Sequence, residues 1–246
     1  MTNCSQCKNG DDFSIAISMA FQPIIDIKLK RVHSYEALVR TINGGGAAEV
    51  FQHVSATNIY SFDQACRVKA IEWASKLGIT SNLSINFMPN AVYEPARCIQ
   101  TTLNAAKKYN FPISNITFEF SEHEEYKDAD HVAKIVNDYK SRGFSTAIDD
   151  FGAGFSGLKL LGEIEADEVK IDRSLISDIH LHQRKQLIVE STKNMLDRVT
   201  RRIIVEGVEK PEEFKVLREL GFRYFQGYLF AMPSFESLPT IDFELL

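Results

Sequence analysis

The stretch F-Q-P-I-I-D-I-K-L-K-R-V-H-S-Y-E-A-L-V-R, from Phe21 to Arg40, decides the architecture. It contains two apolar, β-rich runs, at 21–27 and 32–40, with only Lys28 to Arg31 between them. A parallel crossover needs a dozen or more residues, so strands joined this tightly must run antiparallel. Six further β-rich runs follow, at 82–87, 115–121, 144–150, 168–172, 202–206 and 224–228. Most are dense in Ile, Val, Phe and Leu, as strands buried on both faces should be. Helical patterns separate most of them. Ser61 and Gln64 are spaced as a capping box, and Phe62, Cys66, Ala70, Trp73 and Leu77 then line one helix face before Gly78. Pro211 stands at a first helical position, Glu212 and Glu213 favour the positive helix end, and Phe214, Leu217 and Leu220 share a face before Gly221. The pattern predicts an α/β fold, a (β/α)8-type barrel whose first strand runs against the rest. A doubly wound open sheet is the alternative.

The 246 residues, 44% of them hydrophobic, suffice for one large core. Nothing reads as an interdomain linker or an internal repeat. Residues 1–20 read as a short leader ahead of a single domain at 21–246. A net charge of −5 excludes the broad basic surface that non-specific DNA binding needs. Four cysteines, Cys4, Cys7, Cys66 and Cys98, are too few for a disulfide scaffold. Cys4 and Cys7 form a lone C-x-x-C, read as a flexible tail with two free thiols rather than half of a metal site. No window approaches eighteen apolar residues, and the N-terminus lacks the basic and apolar regions of a secretory signal. A cytoplasmic location is the expectation.

In a closed barrel the C-terminal strand ends converge on one face. The second strand brings Glu36 there, the third Asn86 and the fourth Glu119, then Glu122. Asp149 and Asp150 come from the fifth, Lys170 and Asp172 from the sixth, Glu206 and Glu209 from the seventh, and Gln226 from the eighth. A single carboxylate at a strand end is ordinarily solvated or caps the next helix. As a set, converging carboxylates repel one another, and their charged forms are tolerable only with cations between them. Hard oxygen ligands suit Mg²⁺ or Mn²⁺, and the absence of zinc-type His and Cys spacing argues against Zn²⁺. Adjacent Asp149 and Asp150, where the pleat breaks up, could serve two ions of the kind that assist in-line attack of water on a phosphodiester. Spacing alone leaves Lys170 open: it points into the pocket, or pairs at the surface with Asp172 or Asp167. Arg40 lies two alternations beyond Glu36 on one strand face and could reach a phosphate.

G-A-G-F-S-G at 152–157 is formally a dinucleotide fingerprint, with Asp172 about 20 residues on. Two carboxylates directly before the glycines would repel a pyrophosphate, so a mobile loop over the cation site is the better reading. The glycines at 44–46 form a flexible loop, since no G-K-[ST] follows. His180 and His182 receive no role.

E-A-L-V-R at 36–40 resembles the signature of the EAL-domain family of cyclic di-GMP phosphodiesterases. The likeness extends over about 21–233, through F-E-F-S-E at 118–122, D-D-F-G-A-G-F-S-G-L at 149–158, V-K-I-D-R at 169–173, V-E-G-V-E at 205–209 and Q-G-Y-L-F at 226–230. It implies a modified TIM barrel with an antiparallel first strand, acting as a two-metal hydrolase that opens cyclic di-GMP to linear pGpG. By resemblance Glu36, Asn86, Glu119 and Asp149 hold a first Mg²⁺ or Mn²⁺. Asp149 and Asp150 serve a second, with Glu206 as further ligand or base. Lys170 orients the attacking water, and Leu38, Arg40 and Gln226 touch substrate. Glu122 braces the 150–157 loop, which in the family also touches a homodimer interface. Ca²⁺ is expected to inhibit. Ala153, Phe155 and Gly157 depart from the common Thr, Tyr and Ser. Phe-Met-Pro after Asn86 replaces a small or hydroxyl residue and then Pro. No ligand position is lost. A non-hydrolytic cyclic di-GMP receptor or protein-interaction module is the alternative.

Overall fold

The computed structural model describes residues 11–122, 129–154 and 157–245. Cys4 and Cys7, Ser156 and the acidic stretch 123–128 lie outside them. In chain order the elements are β1 (Ile17–Asp26), β2 (Arg31–Thr41), α1 (Ala47–Phe51), α2 (Ile59–Lys76), β3 (Asn82–Asn86), α3 (Pro95–Cys98), α4 (Gln100–Lys108), β4 (Ile116–Ser121) and α5 (Ala129–Ser141). They continue with β5 (Ser145–Phe151), α6 (Gly157–Glu163), β6 (Glu168–Ile171), α7 (Arg173–Ile176), α8 (Gln183–Leu196), β7 (Arg202–Val205), α9 (Pro211–Glu219), β8 (Tyr224–Phe225) and β9 (Ser234–Phe235). Strands β2 to β8 run parallel in sequence order, and β1 closes the ring by pairing antiparallel with both β2 and β8. This is the modified TIM barrel. β9 adds two residues to β1 beyond the reach of β8.

The closure has a local cause. The β1–β2 turn spans 27–30, with Lys30 at φ 47°. Asp26, 1% exposed, accepts the N–H groups of Lys28 and Leu29 at 3.0 and 3.2 Å. Arg223, immediately before β8, donates two bonds to the same carboxylate at 2.8 and 2.6 Å. One side chain thus forms the hairpin turn and ties the last barrel strand to the first.

Alternation sorts each strand between the lumen and the helix layer. In β4, Phe118 and Phe120 join the aromatic cluster of Phe87, Tyr139 and Phe144 under the helices, while Glu119 points into the barrel mouth. Two expectations need correction. The domain begins before residue 21: β1 starts at Ile17, and Phe13 packs its ring on Phe62 at 5.0 Å. Ser61 and Gln64 form no capping box, because α2 starts two residues before Ser61 with Asn58 as N-cap. The Ser61 hydroxyl instead donates to the carbonyls of Asn58 and Asp11, tying the N-terminal segment to the helix. Gly78 and Gly221 follow their helices at φ 69° and 86°, where a side chain would be strained.

Candidate active site

Lys170 is fully buried on β6, and four carboxylates surround its ammonium. Nζ lies 2.6 Å from Glu206 Oε1, 3.0 Å from Glu119 Oε2, 3.0 Å from Asp149 Oδ1 and 3.4 Å from Glu36 Oε2. The surface pairing with Asp172 or Asp167 does not occur: Asp172 caps α7 by accepting the Ser174 N–H at 2.8 Å. Residues from strands β2, β4, β5 and β6 and from the end of β7 therefore meet around one amine.

Two groups of oxygens could each hold a cation, Glu36–Glu119–Asp149 and Asp149–Asp150–Glu206, each with ligand atoms within 4.8 Å of one another. Asp149 belongs to both. In a regular strand, neighbours point to opposite faces. Here the β5–β6 register breaks between Ile148 and Phe151, and Asp150 adopts φ 58°. That irregularity turns both aspartates to the same centre. Ser121 donates to Asp150 Oδ2 at 2.7 Å, and the Asp150 N–H donates to Asp149 Oδ1 at 2.9 Å. Asn86 adjoins the first group, its amide donating to Glu36 Oε1 at 2.9 Å. Gln226, just past β8, donates to Glu36 Oε2 at 2.7 Å and to Gln22 Oε1 at 3.2 Å.

The electrostatics fit dications. With all five carboxylates ionised, one ammonium leaves four negative charges uncompensated. Burial pushes the Glu119 and Glu206 carboxyls well above their ordinary values; neighbouring carboxylates add to this, and Lys170 only partly offsets it. For Lys170 burial acts downward, yet Asp149, Glu119, Glu206 and Glu36 together hold its pKa well above the ordinary lysine value. Glu119 Oε1 is buried with no hydrogen-bond donor among the described residues, an oxygen that a cation could satisfy. Hard anionic oxygens of this kind suit Mg²⁺ or Mn²⁺.

Glu122 stands behind the second group. It accepts the N–H groups of Gly152, at 3.1 Å, and of Gly154. A Cβ at Gly157 would overlap its other oxygen. Three sequence candidates lie apart from the centre. Arg40 turns back to the Val39 carbonyl at 2.8 Å, and Glu209 pairs with Arg173 at 2.8 Å. Leu38 lines an apolar cavity of about 560 Å³ between the sheet and α1–α2 that also touches Asn86 and Ser121. A third possible cation group, Asp178–His180–Glu213, is structural: Lys210 pairs with Asp178, and Glu213 accepts three backbone N–H groups. Sequence reasoning missed Ser121, Gln22, Asp26 and the buried pair Asp63–Arg67. Only Ser121, inside F-E-F-S-E, carried a usable signal.

Fold and site together define a TIM-barrel protein with a carboxylate-rich centre at its strand ends that could hold cations. Residues 14–233 match the EAL domain, and the chain belongs to that family. A standalone versatile EAL protein from Vibrio cholerae O395, in its c-di-GMP bound form, is 50% identical at a TM-score of 0.91, covering 94% of this chain and 98% of that one. BlrP1 from Klebsiella pneumoniae, in a manganese/cy-diGMP complex, is 32% identical at 0.87, covering 93% and 58%. The blue light- and temperature-regulated antirepressor BluF from Escherichia coli (strain K12) is 30% identical over 223 residues, 90% of this chain and 55% of BluF. Relatives at 26% and 25% identity are named cyclic di-GMP phosphodiesterases. The chain spans about half, or less, of the length of these curated relatives.

Proposed function

We propose that the protein hydrolyses cyclic di-GMP to linear pGpG with two divalent ions, Mg²⁺ or Mn²⁺. The observation that carries this reading is the pair of oxygen groups sharing Asp149 around a buried, fully charged Lys170. Glu36, Asn86, Glu119 and Asp149 would hold one ion; Asp149, Asp150 and Glu206 would hold the other. When bound, the ions supply Lewis-acid charge stabilisation and lower the pKa of a water.

The chain's own groups do the rest. Lys170 cannot act as a base, because its carboxylate neighbours keep it protonated. It orients water through its N–H bonds and offsets the negative charge that grows on the phosphate as water attacks. Glu206, 2.6 Å from that ammonium and raised in pKa by burial, is placed to accept the water's proton. The new P–O bond forms in line with the 3′-oxygen, the P–O3′ bond breaks, and the leaving oxygen takes a proton from solvent water to become the 3′-hydroxyl of pGpG, while Glu206 later returns its proton to solvent. Leu38, Gln226 and Arg40 serve substrate, Arg40 by swinging off Val39. Glu122 holds the backbone of Gly152 and Gly154 beside Asp150. Leu158, 68% exposed at the loop's end, suits the dimer contact that the family resemblance implies.

The other reading, a cyclic di-GMP receptor acting by contact, gains weight from the antirepressor name of BluF. Incubation with cyclic di-GMP and Mn²⁺, followed by chromatography, separates the two. pGpG from the native chain and none from Glu36→Ala supports hydrolysis. Tight binding of unchanged nucleotide supports the receptor. Ca²⁺, with its longer and more numerous bonds, should occupy the site and suppress turnover.

A further inference from the structure

Helix α2 sends an ion pair into the core that touches neither Lys170 nor its carboxylates. Arg67 is fully buried and Asp63 is 3% exposed. One turn apart, Arg67 Nη2 lies 2.7 Å from Asp63 Oδ2. Nη1 donates to the Tyr139 hydroxyl at 3.2 Å, and the guanidinium lies 5.4 Å from the Phe87 ring centre and 5.1 Å from that of Phe118. Asp63 Oδ1 accepts the Met88 N–H at 3.1 Å. A well-packed apolar pair commonly stabilises a core as well as a buried ion pair does. Stability alone gives no reason for these two charges.

What they hold gives one. Phe87 and Met88 are the two residues after Asn86, and the Phe87 N–H is bound by the Glu119 carbonyl at 2.9 Å. Asn86 itself stands exposed, anchored on the side-chain side by its bond to Glu36. Among the oxygen donors of the first cation position it is the neutral one. A dication attracts it less than it attracts a carboxylate, so beyond the Glu36 bond its aim comes from the backbone. Phe87 is also where this chain departs from the family pattern, and its ring fills the space against the guanidinium. The geometry points to Asp63 and Arg67 as positioning residues: they clamp 87–88 and so direct the Asn86 carboxamide at the first cation. This rests on reading that position as a cation site.

Mn²⁺ titration of the full chain, followed by the EPR signal of free Mn²⁺, tests it alongside thermal melting and the KM–kcat split. Asp63→Leu/Arg67→Met removes both charges together, so neither is left buried without its counterion. It should melt at or above the native temperature yet bind Mn²⁺ about tenfold more weakly. Asp63→Asn/Arg67→Gln keeps an acceptor for the Met88 N–H and should recover most of that affinity. Phe87→Leu should weaken Mn²⁺ in the same direction, and it decides the matter if the Leu/Met chain does not fold. In the Leu/Met and Phe87→Leu chains, kcat at limiting Mn²⁺ falls while KM for the nucleotide holds. Folded Leu/Met and Phe87→Leu chains with native Mn²⁺ affinity would overturn the proposal, whatever their melting temperatures. A native chain that binds no Mn²⁺ would instead remove the cation-site reading, and this one with it.

Discussion

The two ends of the barrel treat buried carboxylates in opposite ways. At the floor, Glu168 has no exposure and two side-chain partners, the guanidinium of Arg202 at 2.6 Å and the His33 ring at 3.4 Å. At the mouth, Glu119 is equally buried and shares one ammonium with three other carboxylates. Burial pushes both carboxyls up. His33 and Arg202 outweigh it at Glu168, whose pKa ends below its ordinary value, whereas Glu119 stays well above. Lys170 sits two residues beyond Glu168 on the same strand face. The lesson concerns countercharge more than burial: where the chain supplies partners enough for one carboxylate the site is structural, and where one ammonium faces four carboxylates ions from outside could balance the excess.

The sharpest break between the ends should come from Asp149→Ala. It strips an oxygen from both cation groups and should cut pGpG formation by about 10³-fold or more while circular dichroism stays native; near-normal turnover with Mg²⁺ would end the two-group picture. Lys170→Ala should lower kcat by roughly 10²–10³-fold and leave nucleotide binding measurable, because its charge matters most as the transition state forms. Lost affinity at unchanged kcat would make it a binding residue. At the floor, Glu168→Gln removes one partner of a buried network and should cost about 3 kcal/mol in denaturant unfolding, with Mn²⁺ affinity untouched.

The pH dependence should then carry opposite signs. Glu168, depressed in the fold, contributes stability that is fully present above its unfolded pKa of about 4.3 and is lost as pH falls through the folded value. Glu119 and Glu206, raised in the fold, bind more protons folded than unfolded. In EDTA they therefore destabilise progressively as pH climbs from about 4.3 toward their folded values. Melting curves from pH 4 to 8 should slope downward in EDTA and flatten with Mn²⁺; identical curves would contradict the charge excess. The smallest effect belongs to Glu122→Ala, which frees the loop and should raise the half-saturating Mg²⁺ concentration roughly tenfold. An unchanged requirement with a lower melting temperature would make Glu122 a helix cap only.

Much of this was legible because its signals are local. A four-residue connection fixes an antiparallel pair, and polar residues at the ends of apolar strands stand out. What stayed hidden depends on partners far away in sequence. Arg67 reads as one more polar residue on a helix, since only the tertiary fold brings Phe87, Phe118 and Tyr139 around it. Asp26 reads as one polar residue inside the first β-rich run, and its partner Arg223 comes 197 positions later. Ser61 and Gln64 matched a cap in spacing, but the helix starts at Ile59 and the Ser61 hydroxyl bonds the carbonyls of Asn58 and Asp11 instead.

That same distance between Asp26 and Arg223 sets a schedule for synthesis. On the ribosome, the hairpin β1–β2 emerges with one flank of β1 open. At about 5–20 residues per second, roughly 10–40 s pass before the last barrel strand arrives to cover it. An uncovered apolar strand edge invites pairing with another nascent chain. Pro23 falls in the gap between the segments of β1 that β9 and β8 will cover, 20–21 and 25–26. A residue without an N–H there would interrupt a continuous intruding ladder, and the mature ring loses nothing by it, because neither β8 nor β9 pairs at that position.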